Sequence, residues 1–156
     1  MTPADFLRRV IAPGSMLLPG KFDSRPARAL LLAIAGQETG WAVRHQIAGP
    51  AVSYYQFEAA GVFAVLNDAE TTPLAEAACV ACDIQPTVAA VIRAIEFHDA
   101  LATVFARLTL WLDPAPLPEL TDGADPAWQY YLRCWRPGKP DQSRWGACHS
   151  QACALA

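Results

Sequence analysis

The feature that most constrains this chain is an unbroken apolar run, Ala29-Leu30-Leu31-Leu32-Ala33-Ile34-Ala35, followed by one carboxylate, Glu38, with Gly40 just beyond. Leu, Ala and Ile in continuous sequence favour a helix buried on most sides. The rest of the chain then has to surround that helix. Asp23 or Ser24 suits its N-cap, Pro26 its first turn, and Gly40 can end it in the left-handed conformation. The sequence therefore predicts a buried central helix over about residues 26–39. Glu38 falls in its last turn. The partial negative charge of a helix C-terminus disfavours an ionised carboxylate there, and Trp41 adds desolvation. A carboxyl group kept protonated near neutral pH is what a general acid needs. A solvated helix-end glutamate is the plainer alternative.

The remaining segments read as helices too. Thr2-Pro3-Ala4-Asp5 caps a short helix that runs to about Ile11 and is ended by Pro13-Gly14. Gly49-Pro50 marks a turn, after which Ser53 caps a helix from Tyr54 or Tyr55 to Leu66. Short helices follow over about residues 74–82 and 88–95, and a strongly apolar one over 97–112. The proline-rich stretch from Asp113 to Pro126 is a rigid linker between helices. Asp125 caps the next helix, which carries Trp128, Tyr131 and Trp135, and the segment from Asp141 to Ala156 closes the chain. No segment alternates as a strand does. The expectation is an all-α chain, one compact domain over residues 1–156, acting as a monomer.

Composition excludes several roles. At 53% hydrophobic and 17% charged, the chain is too apolar to be disordered. A net charge of −3 gives no general basic field, so nucleic acid is not an expected partner. No stretch reaches the roughly 18 apolar residues of a membrane span. The first twenty residues are too interrupted for a secretory signal, so the chain is expected to be made in the cytoplasm without a signal peptide. Cys79 and Cys82 have the spacing of half a zinc site, and Cys148, His149 and Cys153 could complete it; small buried residues on Ala-rich helices are the plainer reading. His45, His98 and His149 stand too far apart for a zinc peptidase motif. No metal and no cofactor are expected.

The polar groups after Glu38, namely Arg44, His45 and Gln46, are of the kind that lines a sugar groove. Tyr54, Tyr55 and Phe57 could stack on sugar faces. Glu38-Thr39-Gly40, then Gly49-Pro50-Ala51, then Tyr54-Tyr55-Gln56-Phe57 resembles the active-site stretch of the lysozyme-like lytic transglycosylases and goose-type lysozymes. In that family a helix ends in Glu-Ser and a Gly-Leu-Met-Gln-like segment follows. Glu38 matches its catalytic acid, Thr39 stands where Ser is usual, and Gln56 matches its Gln. Ser53-Tyr54-Tyr55 replaces Gly-Leu-Met, and a second acid, Glu58, follows Phe57. A late aromatic reaches the cleft in that family, and Tyr131, or its neighbour Tyr130, matches it.

The resemblance implies a lysozyme-like helical domain that cleaves the β-1,4 bond between N-acetylmuramic acid and N-acetylglucosamine in peptidoglycan. Glu38 would be the general acid and base, and Glu58 a second catalytic carboxylate if the outcome is hydrolysis. Gln56, Tyr54, Tyr55, Arg44, His45, Gln46 and Tyr131 would bind substrate, and Arg136 and Lys139 could meet its carboxylates. The whole chain also looks like small lysozyme-like proteins of bacteriophages and prophages. An endolysin or virion-associated lysin would meet peptidoglycan glycan strands at the cell wall, delivered by a holin pore or by phage particle components. A protein of another class remains open: a phage structural or wall-binding protein on the same fold without turnover.

Overall fold

The computed structural model describes residues 1–156, and the chain is all-α. The Thr2 hydroxyl accepts from the Asp5 N–H and opens α1, residues 3–15. Its middle, Leu7–Ile11, is π-helical, and Ala12–Ser15 returns to α-helix. The helix thus runs through Pro13-Gly14, where the sequence predicts its end. Proline lacks an N–H and its ring crowds the preceding turn. The wider register just before it, with the Ala12 N–H bonded to the Leu7 carbonyl, relieves that conflict.

Ser24 caps α2, Arg25–Thr39, by accepting from the Ala27 N–H at 3.2 Å. Gly40 closes it at φ 60°, a left-handed conformation open to glycine without a steric penalty. Residues 29–37 are all buried, so this is the central helix that the apolar run requires. It packs most extensively along α8, Gln142–Leu155, the last helix. Between them in sequence come α3 (Ala59–Leu66), α4 (Thr72–Ala81), α5 (Val88–Ile95), α6 (Asp99–Trp111) and α7 (Ala124–Trp135). Residues 101–110 of α6 are buried without exception. Thr87, His98 and Asp141 cap α5, α6 and α8 through their side chains. Gly123, rather than Asp125, precedes α7 as its cap.

One segment departs clearly from its predicted form. Residues 53–57 are not the first turn of a helix; α3 begins at Ala59, with Glu58 in the cap position. Val52 and Phe57 exchange two backbone hydrogen bonds, at 2.9 and 2.7 Å, and close a tight turn. Ser53 (φ 68°) and Gln56 (φ 53°) both take left-handed conformations inside it. Burial explains why the turn holds. Val52, Tyr54, Tyr55 and Phe57 are all core residues, which a helix would have spread around its circumference.

Candidate active site

A cleft of about 1250 Å³ opens at the end of α2. One wall is built from Glu38, Gln46 and the Gln56-Phe57-Glu58 segment, continuing onto Ala60, Gly61 and Ala64 of α3. The other wall comes from the end of α6, with Thr109, Leu112 and Asp113, and from the stretch from Leu132 to Lys139.

Glu38 is partly buried in this cleft, and burial pushes its carboxyl above the usual carboxylate range. The Tyr131 hydroxyl donates to Glu38 Oε1 at 2.6 Å and works in the other direction, but burial outweighs it. Tyr131 is itself buried, with its ring stacked on Trp145 at 5.1 Å between centroids. Burial and the neighbouring carboxyl hold its phenol well above the usual tyrosine range, so it stays a neutral donor. Trp145 is fixed in turn by donating from Nε1 to the Ala124 carbonyl at 2.8 Å. The acid group is thus oriented by a side chain that is itself locked by packing.

Thr39 and Trp135 place the turn that carries Gln56. Thr39 Oγ1 lies 2.9 Å from the Ala35 carbonyl of its own helix and 3.1 Å from the Tyr54 carbonyl. Trp135 Nε1 donates to the Tyr55 carbonyl at 2.9 Å, and its ring lies 5.7 Å from that of Phe57. Gln56 folds its amide back to donate to the Ser53 carbonyl at 2.9 Å. Gln46 Oε1 accepts from the Ala51 N–H at 3.3 Å.

The structure therefore brings Glu38, Gln46, Gln56, Glu58 and Tyr131 together and separates four other predicted groups from them. Tyr54 and Tyr55 are core residues. Tyr55 is fully buried, with its hydroxyl 3.1 Å from Thr103 Oγ1, and no sugar face can reach its ring. Tyr54 lies under the Arg44 guanidinium at 4.3 Å. Arg44 grips Asp99 through two hydrogen bonds, 2.7 and 3.2 Å, and His45 Nδ1 sits 3.3 Å from Glu96. Those two pairs anchor the loop to the start of α6, away from the cleft. The reason is the acceptor carboxylates at residues 96–99, Glu96 for His45 and Asp99 for Arg44, more than fifty positions down the chain, which nothing local announces.

Three polar cleft residues escaped the sequence reading: Thr109, Asp113 and Arg133. Thr109 and Asp113 face the groove from the end of α6, where the sequence reads only as an apolar helix running into prolines. Arg133 Nε donates to Asp113 at 2.9 Å, and this pairing holds the Asp113 carboxyl below its usual range. A smaller cavity of about 520 Å³, lined by Arg107, Trp111 and Tyr130, lies beyond the end of α6; of the predicted groups it holds only Tyr130, the alternative to Tyr131, whose hydroxyl donates to the Leu110 carbonyl at 2.7 Å rather than to Glu38.

All five cysteines are free thiols. Burial pushes Cys79 up to about 11 and raises Cys82, Cys148 and Cys153, the reverse of what a thiolate ligand needs. No three His, Cys, Asp or Glu side chains lie close enough together to hold a metal ion. No helix is long and apolar enough to cross a membrane. No protein-family model, curated protein or solved structure matches the chain. The functional reading therefore rests on the site itself: a carboxyl whose proton affinity is raised by burial and whose orientation is set by a neutral phenol, with an unpaired second carboxylate, Glu58, in the same groove.

Proposed function

We propose that the cleft cleaves the glycan of peptidoglycan at the β-1,4 bond between N-acetylmuramic acid and N-acetylglucosamine, with Glu38 as general acid. The single observation that carries this is the buried Glu38 carboxyl receiving the Tyr131 hydroxyl at 2.6 Å inside an open groove. Tyr131 occupies Oε1, which leaves Oε2 to deliver the proton to the glycosidic oxygen. The resemblance of the Glu38–Gln56 stretch to lytic transglycosylases and goose-type lysozymes points the same way. Arg44, whose pairing with Glu38 would have favoured a wall-binding protein without turnover, is engaged by Asp99 instead.

The cation-like sugar left after bond cleavage has two ways forward. The substrate N-acetyl group can assist, with Glu38 returning as base to close a 1,6-anhydro ring. Alternatively, a second carboxylate can activate water or attack directly. Glu58 is the carboxylate available for that second role, because Asp113 is bound by Arg133. The proposal extends to a phage lysin delivered to the wall through a holin pore or in a virion. Digestion of purified peptidoglycan by the wild type and by Glu38→Gln, read by mass spectrometry, tests it. Muropeptides released only by the wild type are the expected result. No release by a folded wild-type protein overturns the reading.

A further inference from the structure

Two cations of the cleft have no carboxylate partner. Arg136 and Lys139 both line it, and neither joins any ion pair of the molecule. The third cation there, Arg133, is held by Asp113. Arg136 takes a left-handed backbone, φ 48° and ψ 51°, as the residue that closes α7. Its N–H bonds back to the Leu132 carbonyl at 3.1 Å, and Pro137 and Pro140 restrict φ on either side of Lys139. Guanidinium and ammonium thus stand on nearby residues along one wall. With Asp113 held by Arg133, they are the unpaired cations of a cleft whose other carboxyls are Glu38 and Glu58. They stand there in a molecule whose overall charge is −3.

We propose that Arg136 and Lys139 form an anion subsite that grips a carboxylate of the glycan, so that the cleft selects carboxylate-bearing glycan over neutral chitin-type oligomers. The inference takes the identity of its ligand from the glycan-cleaving reading, while its test is read by binding. A guanidinium takes a carboxylate through two parallel hydrogen bonds, and an ammonium adds a point charge. The carboxylate has two sources in such a substrate. One is the lactyl group on the muramic ring, free where the stem peptide has been removed. The other is the stem peptide itself.

The test uses the full chain carrying Glu38→Gln, so that bound glycan stays intact. Three probes are titrated by calorimetry: soluble strands bearing stem peptides, strands stripped of peptide by an amidase, and N-acetylchitohexaose. At least one carboxylate-bearing probe should bind roughly ten-fold or more tighter than the neutral oligomer, the scale of one charge-assisted contact. Tighter binding of stripped strands assigns the lactyl carboxylate; tighter binding of peptide-bearing strands assigns the stem. Adding Arg136→Gln with Lys139→Gln should abolish the preference, and Arg136→Lys with Lys139→Arg should restore most of it. Equal affinity for all three probes overturns the subsite, as does a double variant that loses the neutral oligomer to the same degree. If no probe binds while the wild type still releases muropeptides, the subsite alone is overturned. If neither binding nor release occurs, the cleavage reading falls with it.

Discussion

Glu38 and Glu58 border the same cleft from opposite kinds of helix end. Glu38 sits in the last turn of α2, the buried central helix, with a neutral phenol donating to it. Glu58 precedes the first residue of α3, exposed to water, and makes no capping hydrogen bond. The chemical group is the same, and only the surroundings differ. Apolar packing surrounds the first and raises its proton affinity, while the second is left free to meet whatever enters the groove. A division of labour between proton donor and second carboxylate needs no difference in residue type, only this difference in placement.

The largest break in that comparison comes from Glu38→Gln. Release of muropeptides should fall by roughly 10³-fold, the scale of a lost general acid. The same variant tests the burial. Because burial raises the Glu38 carboxyl above its unfolded value, the native chain binds that proton more tightly than the unfolded chain. Wild-type stability therefore declines as pH rises from the unfolded carboxylate range through the raised native value. Thermal melts should show Glu38→Gln gaining on the wild type at pH 8 relative to pH 4; parallel curves would mean that the carboxyl is not desolvated.

Glu58→Gln comes next. A drop of about 10- to 100-fold in rate, with melting unchanged, is expected for a second carboxylate in the groove. An unchanged rate with 1,6-anhydro products would assign the returning base to Glu38 alone. Tyr131→Phe should cost about ten-fold in rate and about 1 kcal/mol in stability, the worth of one hydrogen bond. Losing a donor to the ionised form should also lift the Glu38 carboxyl further, moving the alkaline limb of the pH–rate profile upward. A limb that moves downward would mean that Tyr131 does not stabilise the ionised form. Smallest for the chemistry is Gly36→Ala. Its Cβ would lie 2.4 Å from the Trp41 ring and force apart the Trp41 Nε1 bond to the Leu32 carbonyl, now 3.0 Å. Denaturant titration should show a loss of about 1–3 kcal/mol, as overpacking gives.

Most of the frame was legible because its signals are local. Ser24, Thr87 and Asp141 each cap a helix within three residues of their own position, and the Leu-Ala-Ile run demands burial wherever it sits. Glu38 stands out for a similar reason, as a carboxylate at the end of an apolar helix, whereas Tyr131 entered only through the resemblance, which left its neighbour Tyr130 open; the bond to Glu38 distinguishes the two. The turn at residues 53–57 was not legible, since its two left-handed residues are Ser53 and Gln56 rather than glycines. Ser53 also looks like a helix cap, and only the simultaneous burial of Tyr54, Tyr55 and Phe57 decides against it. The partners of Arg44 and His45, and the arrival of Asp113 in the groove, depend on how α6 crosses the rest of the molecule. No spacing in the sequence encodes that crossing.

The indole of Trp135 ties the two walls of the cleft together. Its bond to the Tyr55 carbonyl fastens the wall from α7 to the wall that carries Gln56. A groove fastened in this way has its width set at folding. Under the proposed glycan cleavage, a strand would meet it already formed and little ordering would be lost on capture. The Trp135 indole proton should then exchange with solvent as slowly with glycan absent as with glycan bound.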